Sequence, residues 1–260
     1  MTTTILVPLD FGPEADRALP VGRALADALG GRLDVVVVTG AAKDADTDEQ
    51  EAHWHAEHAG VELDGVHLRF DDDVVAGILA QARTGEATLC LAAHAHHPLL
   101  AALYTSVSDD VVGHDVRPLV IVGPACDVTA PVGGRMLACL GGHSDAEVLG
   151  VTATWARALA AKVEVVTVEE GDGRSDEPAP AVAARLLEEA GVPVTWEVLN
   201  GSKPAAAVVA AADRMGEGVV VLGSSPGRIH GQALGGVARR VVRRSRRPLL
   251  LAPQRRDDPR

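Results

Sequence analysis

The 260-residue chain repeats itself, and this repeat limits its possible folds more than any other feature of the sequence. Residues 106–112 and 117–122 match residues 236–242 and 247–252 at a constant offset of 130 residues. The same offset relates Val35–Val38 to Val165–Val168, while residues 5–9 match residues 136–140 one residue further on. Similarity that keeps its register over such distances predicts two copies of one structural unit.

Each copy alternates short apolar strands with amphipathic helices. Strands are predicted at 5–9, 33–38, 66–70, 88–92 and 118–122, and again at 136–140, 163–168, 194–199, 218–222 and 248–252. Helices are predicted at 13–29, 47–59, 73–83 and 105–114, and at 144–161, 178–190, 204–215 and 235–245. This alternation predicts an α/β fold made of two tandem, doubly wound sheets of five parallel strands each.

Composition and the positions of Pro and Gly indicate the domain limits and the cellular location. We expect a first domain at 1–123, a linker at 124–134 that contains Pro and paired Gly, a second domain at 135–253 and a disordered charged tail at 254–260. A net charge of −12 argues against a nucleic-acid or membrane partner. Three cysteines without motif spacing and an N-terminus without signal-peptide features favour a cytoplasmic protein.

Open parallel sheets bind ligands at the carboxyl ends of their strands, so the loops after strands one and four are the candidates. After strand one, the first copy has Asp10, which could accept hydrogen bonds from ribose hydroxyls or cap the following helix. The second copy has Gly141 at the matching position and so has no carboxylate there. After strand four, the second copy has the glycine-containing loop 223–227, and Gly235–Gly236 opens a helix, a pattern suited to phosphate.

Four features carry a resemblance to a known family: residues 5–10, the Val-rich strand ending at Val38, the loop after strand four and the closing segment 247–251. They resemble the universal stress protein family, and the resemblance covers nearly the whole chain, twice. The resemblance implies a stress-response regulatory protein whose two units meet along their fifth strands as a built-in dimer. It also implies ATP or a related adenine nucleotide as ligand, with Asp10 on the ribose and the backbone of Val38 or Val168 on adenine.

The phosphate motif of the nucleotide-binding branch of that family is degenerate in both copies. The branch carries Gly, two residues, Gly, nine residues, and then Gly followed by Ser or Thr. In the second copy Pro226 takes the place of the second glycine, and Gly235–Gly236 comes one residue early without the hydroxyl. In the first copy Ala92 replaces the first glycine, the other two are also lost, and Ser106 alone is kept. The candidate nucleotide-binding residues are Asp10, Val38, Ser106, Val168, Gly223, Ser224, Gly227, Gly235 and Gly236.

Three classes of function stay open on this sequence. The favoured one is a nucleotide-responsive regulatory protein that binds ATP weakly, with any occupancy preferring one half. The alternatives are a ligand-free interaction scaffold with vestigial pockets and a slow ATPase. The chain has no Walker-type lysine and no nucleophile elbow, so we predict no enzymatic activity and no catalytic residue. His53, His55 and His58 lack the spacing of metal ligands, so we predict no metal and expect solvated histidines.

A basic cluster runs from Arg239 to Arg247 near the end of the second copy. It suits contact with an anion, but we favour a solvated or interface face of a helix. The repeat pairs Asp109 with Arg239 and Asp110 with Arg240. We therefore hypothesise that these opposite charges favour docking of the two copies within one chain over a homodimer.

Overall fold

The computed structural model describes residues 3–12, 15–39, 45–93, 118–141, 145–169, 178–223 and 234–252. The strands in these ranges are β1 (Thr4–Leu9), β2 (Arg32–Thr39), β3 (Gly65–Phe70), β4 (Thr88–Ala92), β5 (Leu119–Val122), β6 (Arg135–Leu140), β7 (Lys162–Glu169), β8 (Val194–Asn200), β9 (Val219–Gly223) and β10 (Leu249–Ala252). After a 3₁₀ turn at Ala15–Arg17, the helices are α1 (Ala18–Ala28), α2 (Ala45–His58), α3 (Val74–Thr84), α4 (Asp145–Ala158), α5 (Ala179–Glu189), α6 (Pro204–Met215) and α7 (Gly236–Arg244).

All ten predicted strands are present, each with bounds within one residue of the prediction. Runs of Val, Leu and Ile set these bounds, because β-branched and aliphatic side chains fit a pleated surface that is buried on both faces. The first predicted helix begins later than expected, since Ala15–Arg17 forms a 3₁₀ turn ahead of α1. The helix predicted at 105–114 lies outside the described residues.

The strands are ordered β3-β2-β1-β4-β5-β10-β9-β6-β7-β8. Pairing is parallel within each half, as the fold prediction requires, and the prediction of an α/β fold with two five-stranded parallel units is confirmed. The two units join edge to edge, because β5 and β10 pair antiparallel. Leu250 pairs with Val120, its counterpart 130 residues earlier, so a local twofold axis passes through this pair.

Helices cover both faces of the ten-stranded sheet. On one face, α1, α2, α4 and α5 bury side chains in a single apolar cluster that runs from Ile5 and Val35 in the first half to Val163 and Val165 in the second. On the other face, α3 packs against Leu6, while α6 and α7 pack in a cluster of their own. Alternate residues of each strand point to opposite faces, so the inner strands bury aliphatic side chains on both faces of the sheet.

The junction between the halves is reinforced beside β5 and β10. The backbone N–H of Asp127 donates to the carbonyl of Arg246 at 2.9 Å, and Arg17 donates from Nη2 to the carbonyl of Cys126 at 2.7 Å. Arg246 also lies 3.9 Å from the Asp127 carboxylate in an exposed ion pair. Asp109 and Asp110 lie outside the described residues, so their pairing with Arg239 and Arg240 stays a prediction.

The basic cluster divides between surface and interior. Arg239, Arg240, Arg243 and Arg244 are exposed on α7. Arg247 is only 8% exposed, and its Nε and Nη1 atoms are buried without a hydrogen-bond acceptor. The last residue of the cluster is therefore part of the packed junction and not of a solvated helix face.

Candidate functional site

A cavity of about 310 Å³ opens at the carboxyl ends of β1, β2 and β4, in the first half of the chain. Most of its wall is aliphatic, and its polar side chains among the described residues are Asp10, Thr39 and Asp48. The described lining residues are Pro8–Phe11, Ala15, Val36–Thr39, Asp48, Val74, Ile78, Leu91 and Ala92. An apolar pocket with a few convergent polar groups, at the edge predicted from the sheet topology, is the usual form of a small-molecule site.

Asp10 lies at the end of β1, where its carboxylate is exposed and lines the cavity. Its Oδ1 accepts a hydrogen bond of 3.0 Å from the backbone N–H of Gly12, which fixes the loop that follows. Phe11, between them, has a left-handed backbone with φ of 57°. The alternative role for Asp10 as the cap of α1 is not observed, because Arg17 precedes that helix and makes no side-chain cap. A carboxylate has two acceptor oxygens, so Asp10 can hold its loop and still accept from a ligand.

Three side chains hold the Asp10 loop against α2. The rings of Phe11 and His55 are stacked with centroids 5.4 Å apart, and His55 Nδ1 lies 2.8 Å from the Asp16 carboxylate. His55 is only 6% exposed, so the expectation of a solvated histidine at this position is wrong. His55 is buried because it contacts a loop that is distant in sequence, and the local spacing of residues does not predict that contact.

Val38 and Asp48 form the β2 side of the cavity. Val38 packs closely on α3: a Cβ atom added at Gly77 would lie 2.9 Å from its Cγ1 atom. Asp48 stands in the first turn of α2, and its Oδ2 atom is buried without a hydrogen-bond donor. Sequence reasoning missed Asp48, because an acidic residue in the first turn of a helix is ordinary helix-dipole chemistry.

The equivalent edge of the second half has different polar groups. The backbone N–H of Gly141 donates to the Asp145 carboxylate at 3.0 Å. The strand end itself carries no carboxylate, and the acid that contacts it comes from the start of α4. Acidic residues favour helix N-termini, which is the signal that would have identified Asp145. Val168 lies near the end of β7 and packs in the same apolar cluster as Ala207 of α6.

The strand-four positions align through the sheet register. Gly223 ends β9 opposite Ala252, and Ala92 ends β4 opposite Val122, so Gly223 takes the place of Ala92. Gly235 is the N-cap of α7 and Gly236 is its first residue, as predicted. Ser106, Ser224 and Gly227 lie outside the described residues, so their roles stay predictions.

Cysteine and metal chemistry add no further group to the cavity in the described ranges. Cys90, Cys126 and Cys139 are free and buried. Burial raises the pKa of the Cys126 thiol to about 11 and moves the pKa of Cys90 and Cys139 upward as well. Across the described part of the chain, no group of three or more His, Cys, Asp or Glu side chains is arranged to hold a metal ion.

Within the residues that the structure describes, no helix is long and apolar enough to cross a membrane.

Two α/β units joined through their fifth strands, with a ligand-sized cavity at the carboxyl edge of the first, define a tandem doubly wound protein. The sequence profile of the universal stress protein family matches residues 135–253. The second half belongs to that family, and the first half repeats its fold. The recognition made from the motifs is confirmed.

Two solved structures agree with the tandem architecture over nearly the whole chain. A universal stress protein from Archaeoglobus fulgidus DSM 4304 is 18% identical, with a TM-score of 0.64 over 98% of this chain and 97% of that one. A putative universal stress protein from Pseudomonas aeruginosa UCBPP-PA14 is 16% identical, with a TM-score of 0.62 over 96% and 93%. A universal stress protein from Archaeoglobus fulgidus in complex with dAMP is 24% identical, with a TM-score of 0.35 over 46% and 97%. No curated protein matches the chain with significance.

Proposed function

We propose that this chain is a regulatory binding protein that holds an adenine nucleoside or nucleotide in its first half and carries out no chemistry of its own. The observation that carries the proposal is the cavity at the carboxyl ends of β1, β2 and β4. A carboxylate at the end of β1 suits the paired hydroxyls of a ribose, and an aliphatic slot beside Val38 suits the flat face of a base.

The tandem arrangement belongs to the same proposal. With domains at 1–123 and 135–253, the antiparallel pairing of β5 with β10 supports a built-in dimer whose halves need no second chain to cover their fifth strands. We also propose a stress-response role in the cytoplasm, which the family match of the second half supports. The described part of the cavity wall offers a phosphate no cationic side chain, which supports weak binding of ATP over tight binding or hydrolysis.

Isothermal titration calorimetry of the whole protein with ATP and with adenosine tests the proposal. We expect one site per chain, and we expect Asp10→Ala to weaken it about tenfold through the lost hydrogen bonds. Glu62→Ala is the matched control, because Glu62 is an exposed acid away from the cavity. Two equivalent ATP sites per chain, or no binding of either compound, would contradict the proposal. Mass spectrometry of small molecules released on denaturation gives an independent check.

A further inference from the structure

The charges around the first-half cavity indicate which ligand it accepts. The described lining residues include two carboxylates, Asp10 and Asp48, and no Lys, Arg or His. A carboxylate only accepts hydrogen bonds and repels a phosphate. The cavity volume of about 310 Å³ is at the small end of the range of small-molecule sites. These features favour an uncharged ligand with hydrogen-bond donors over a nucleoside triphosphate.

Asp48 carries the more specific information. Its Oδ2 atom is buried without a donor, and a buried acceptor without a partner is unfavourable. The residue lines the cavity from the first turn of α2, directly after the β2 strand that carries Val38. Asp10, by contrast, follows β1, the next strand of the sheet. A ligand that spans both strands would meet one acid at each of two points.

We propose that Asp48 accepts a hydrogen bond from an exocyclic amine of the bound base, so that the first half selects an uncharged, amine-bearing nucleoside. This inference rests on the proposed function, since it assumes that the base lies beside Val38 and the ribose at Asp10. The second half does not offer the same group: counting back from the matched helix ends at Gly60 and Gly191, Ala179 takes the place of Asp48.

Adenosine and inosine test this assignment, because they differ at the position of the amine. Adenosine presents an NH₂ donor there, whereas inosine presents a carbonyl acceptor. By calorimetry on the whole protein, we expect adenosine to bind about tenfold more tightly than inosine, the usual order of effect when an acceptor meets an acceptor. ATP should bind more weakly than adenosine.

The variant Asp48→Asn changes the acceptor into a group that can also donate. We expect it to bring the ratio of adenosine to inosine affinity to about one or below, because the amide can donate to the inosine carbonyl. Asp46→Asn is the matched control: Asp46 lies in the same first turn of α2, is exposed, and is not among the lining residues, so its ratio should equal that of the wild type. Thermal unfolding of both variants checks that they fold.

The outcomes separate the inference from the proposed function. Equal affinity of the wild type for adenosine and inosine, an unchanged ratio in Asp48→Asn, or tighter binding of ATP than of adenosine would overturn the assignment of Asp48 and leave adenine-ligand binding intact. Absence of binding by adenosine and by ATP would overturn both. If Asp48→Asn fails to fold, Asp48→Ser gives the same comparison, with loss of the preference for adenosine as the expected result.

Discussion

The two halves bury equivalent aliphatic positions in their strands, yet their carboxyl edges carry different side chains. Where the first half has Asp10, Asp48 and Gly77, the second has Gly141, Ala179 and Ala207. The last pair shows the difference in space. Val38 packs directly on Gly77, where a Cβ atom would lie 2.9 Å from Val38 Cγ1, whereas Ala207 carries a methyl group and packs in the same cluster as Val168. The repeat therefore constrains the core, while the edge of each sheet has diverged.

The two halves carry different parts of the predicted ligand site. The first half has the acids and the cavity but lacks glycines after strand four, while the second has Gly223 and Gly235 but no strand-end carboxylate of its own. Because the fold depends on buried aliphatic side chains and not on the loops, either edge can lose its ligand chemistry without loss of the sheet.

The largest expected effect tests the likeness of the two cores. Cys90 and Cys139 are buried in opposite halves, and burial raises the pKa of each thiol above the ordinary value of 9.0. The thiols of the unfolded chain ionise above that value, while those of the folded protein stay protonated. The contribution of these thiols to the free energy of unfolding is therefore fully present below about pH 9 and declines as the pH rises. Each thiol contributes a slope of about 1.4 kcal/mol per pH unit.

Urea unfolding between pH 7 and 11 measures this slope. Cys90→Ala and Cys139→Ala should each reduce it, and to a similar extent. Cys126→Ala should reduce it mainly below pH 11, since its folded pKa is about 11. A slope that all three variants leave unchanged would show that the thiols ionise in the folded protein and would contradict the burial on which the comparison depends.

The second prediction uses matched substitutions in β2 and β7. Val38→Phe should fill the slot beside α3 and weaken adenosine binding at least about tenfold, or about 1.4 kcal/mol. Val168→Phe, at the equivalent position of the second half, should leave binding unchanged. Overpacking should lower the stability of both variants by about 1–3 kcal/mol, which thermal unfolding will measure. Equal loss of binding in the two variants would break the distinction between the halves.

The third prediction exchanges the small residues of α3 and α6. Ala207→Gly should lower the free energy of unfolding by about 1 kcal/mol through helix propensity and leave ligand binding unchanged. In Gly77→Ala the same propensity gain is offset by crowding, because the new methyl carbon would lie 2.9 Å from Val38 Cγ1. We therefore expect little net change in stability and several-fold weaker adenosine binding. Tighter binding by Gly77→Ala would contradict the close packing assigned to Val38.

The smallest expected effect concerns the acid that serves the second half. Asp145→Ala removes the acceptor for the Gly141 N–H and should cost about 1 kcal/mol of stability. Glu147→Ala, in the same first turn of α4, should cost less, because the described contacts give it no such bond. Chemical denaturation of the two variants measures the difference. Neither variant should change adenosine binding, and a loss of binding in Asp145→Ala would assign a ligand role to the second half.

The sequence predicted the strands closely and the site only in outline, for physical reasons. Aliphatic runs such as Val35–Val38 depend on local composition and on a sheet covered on both faces, and both can be read along the chain. The sheet topology also predicted the edge at which the cavity lies. The described part of the cavity wall joins residues of three strands, two helices and the 3₁₀ turn, and its polar members have no common motif.

His55 and Arg247, whose burial was not predicted, share one property, which is contact between segments distant in sequence. His55 is buried because the Asp10 loop folds over α2, and Arg247 is buried because β5 and β10 pair. Asp145 was also missed, although its contact is local: its side chain turns back to the N–H of Gly141. Propensity and spacing describe a residue's neighbours along the chain, whereas the burial of His55 and Arg247 depends on neighbours in space.

The central claim is that an adenine-type ligand occupies the first half and not the second. Methyl-resolved NMR of the whole protein during titration with adenosine tests it most directly. We predict shifts for Val38, Ile78 and Leu91, which line the cavity, and none for their counterparts Val168, Val208 and Leu222. Shifts of the second set, alone or with the first, or the absence of any shift at saturating adenosine would contradict the account.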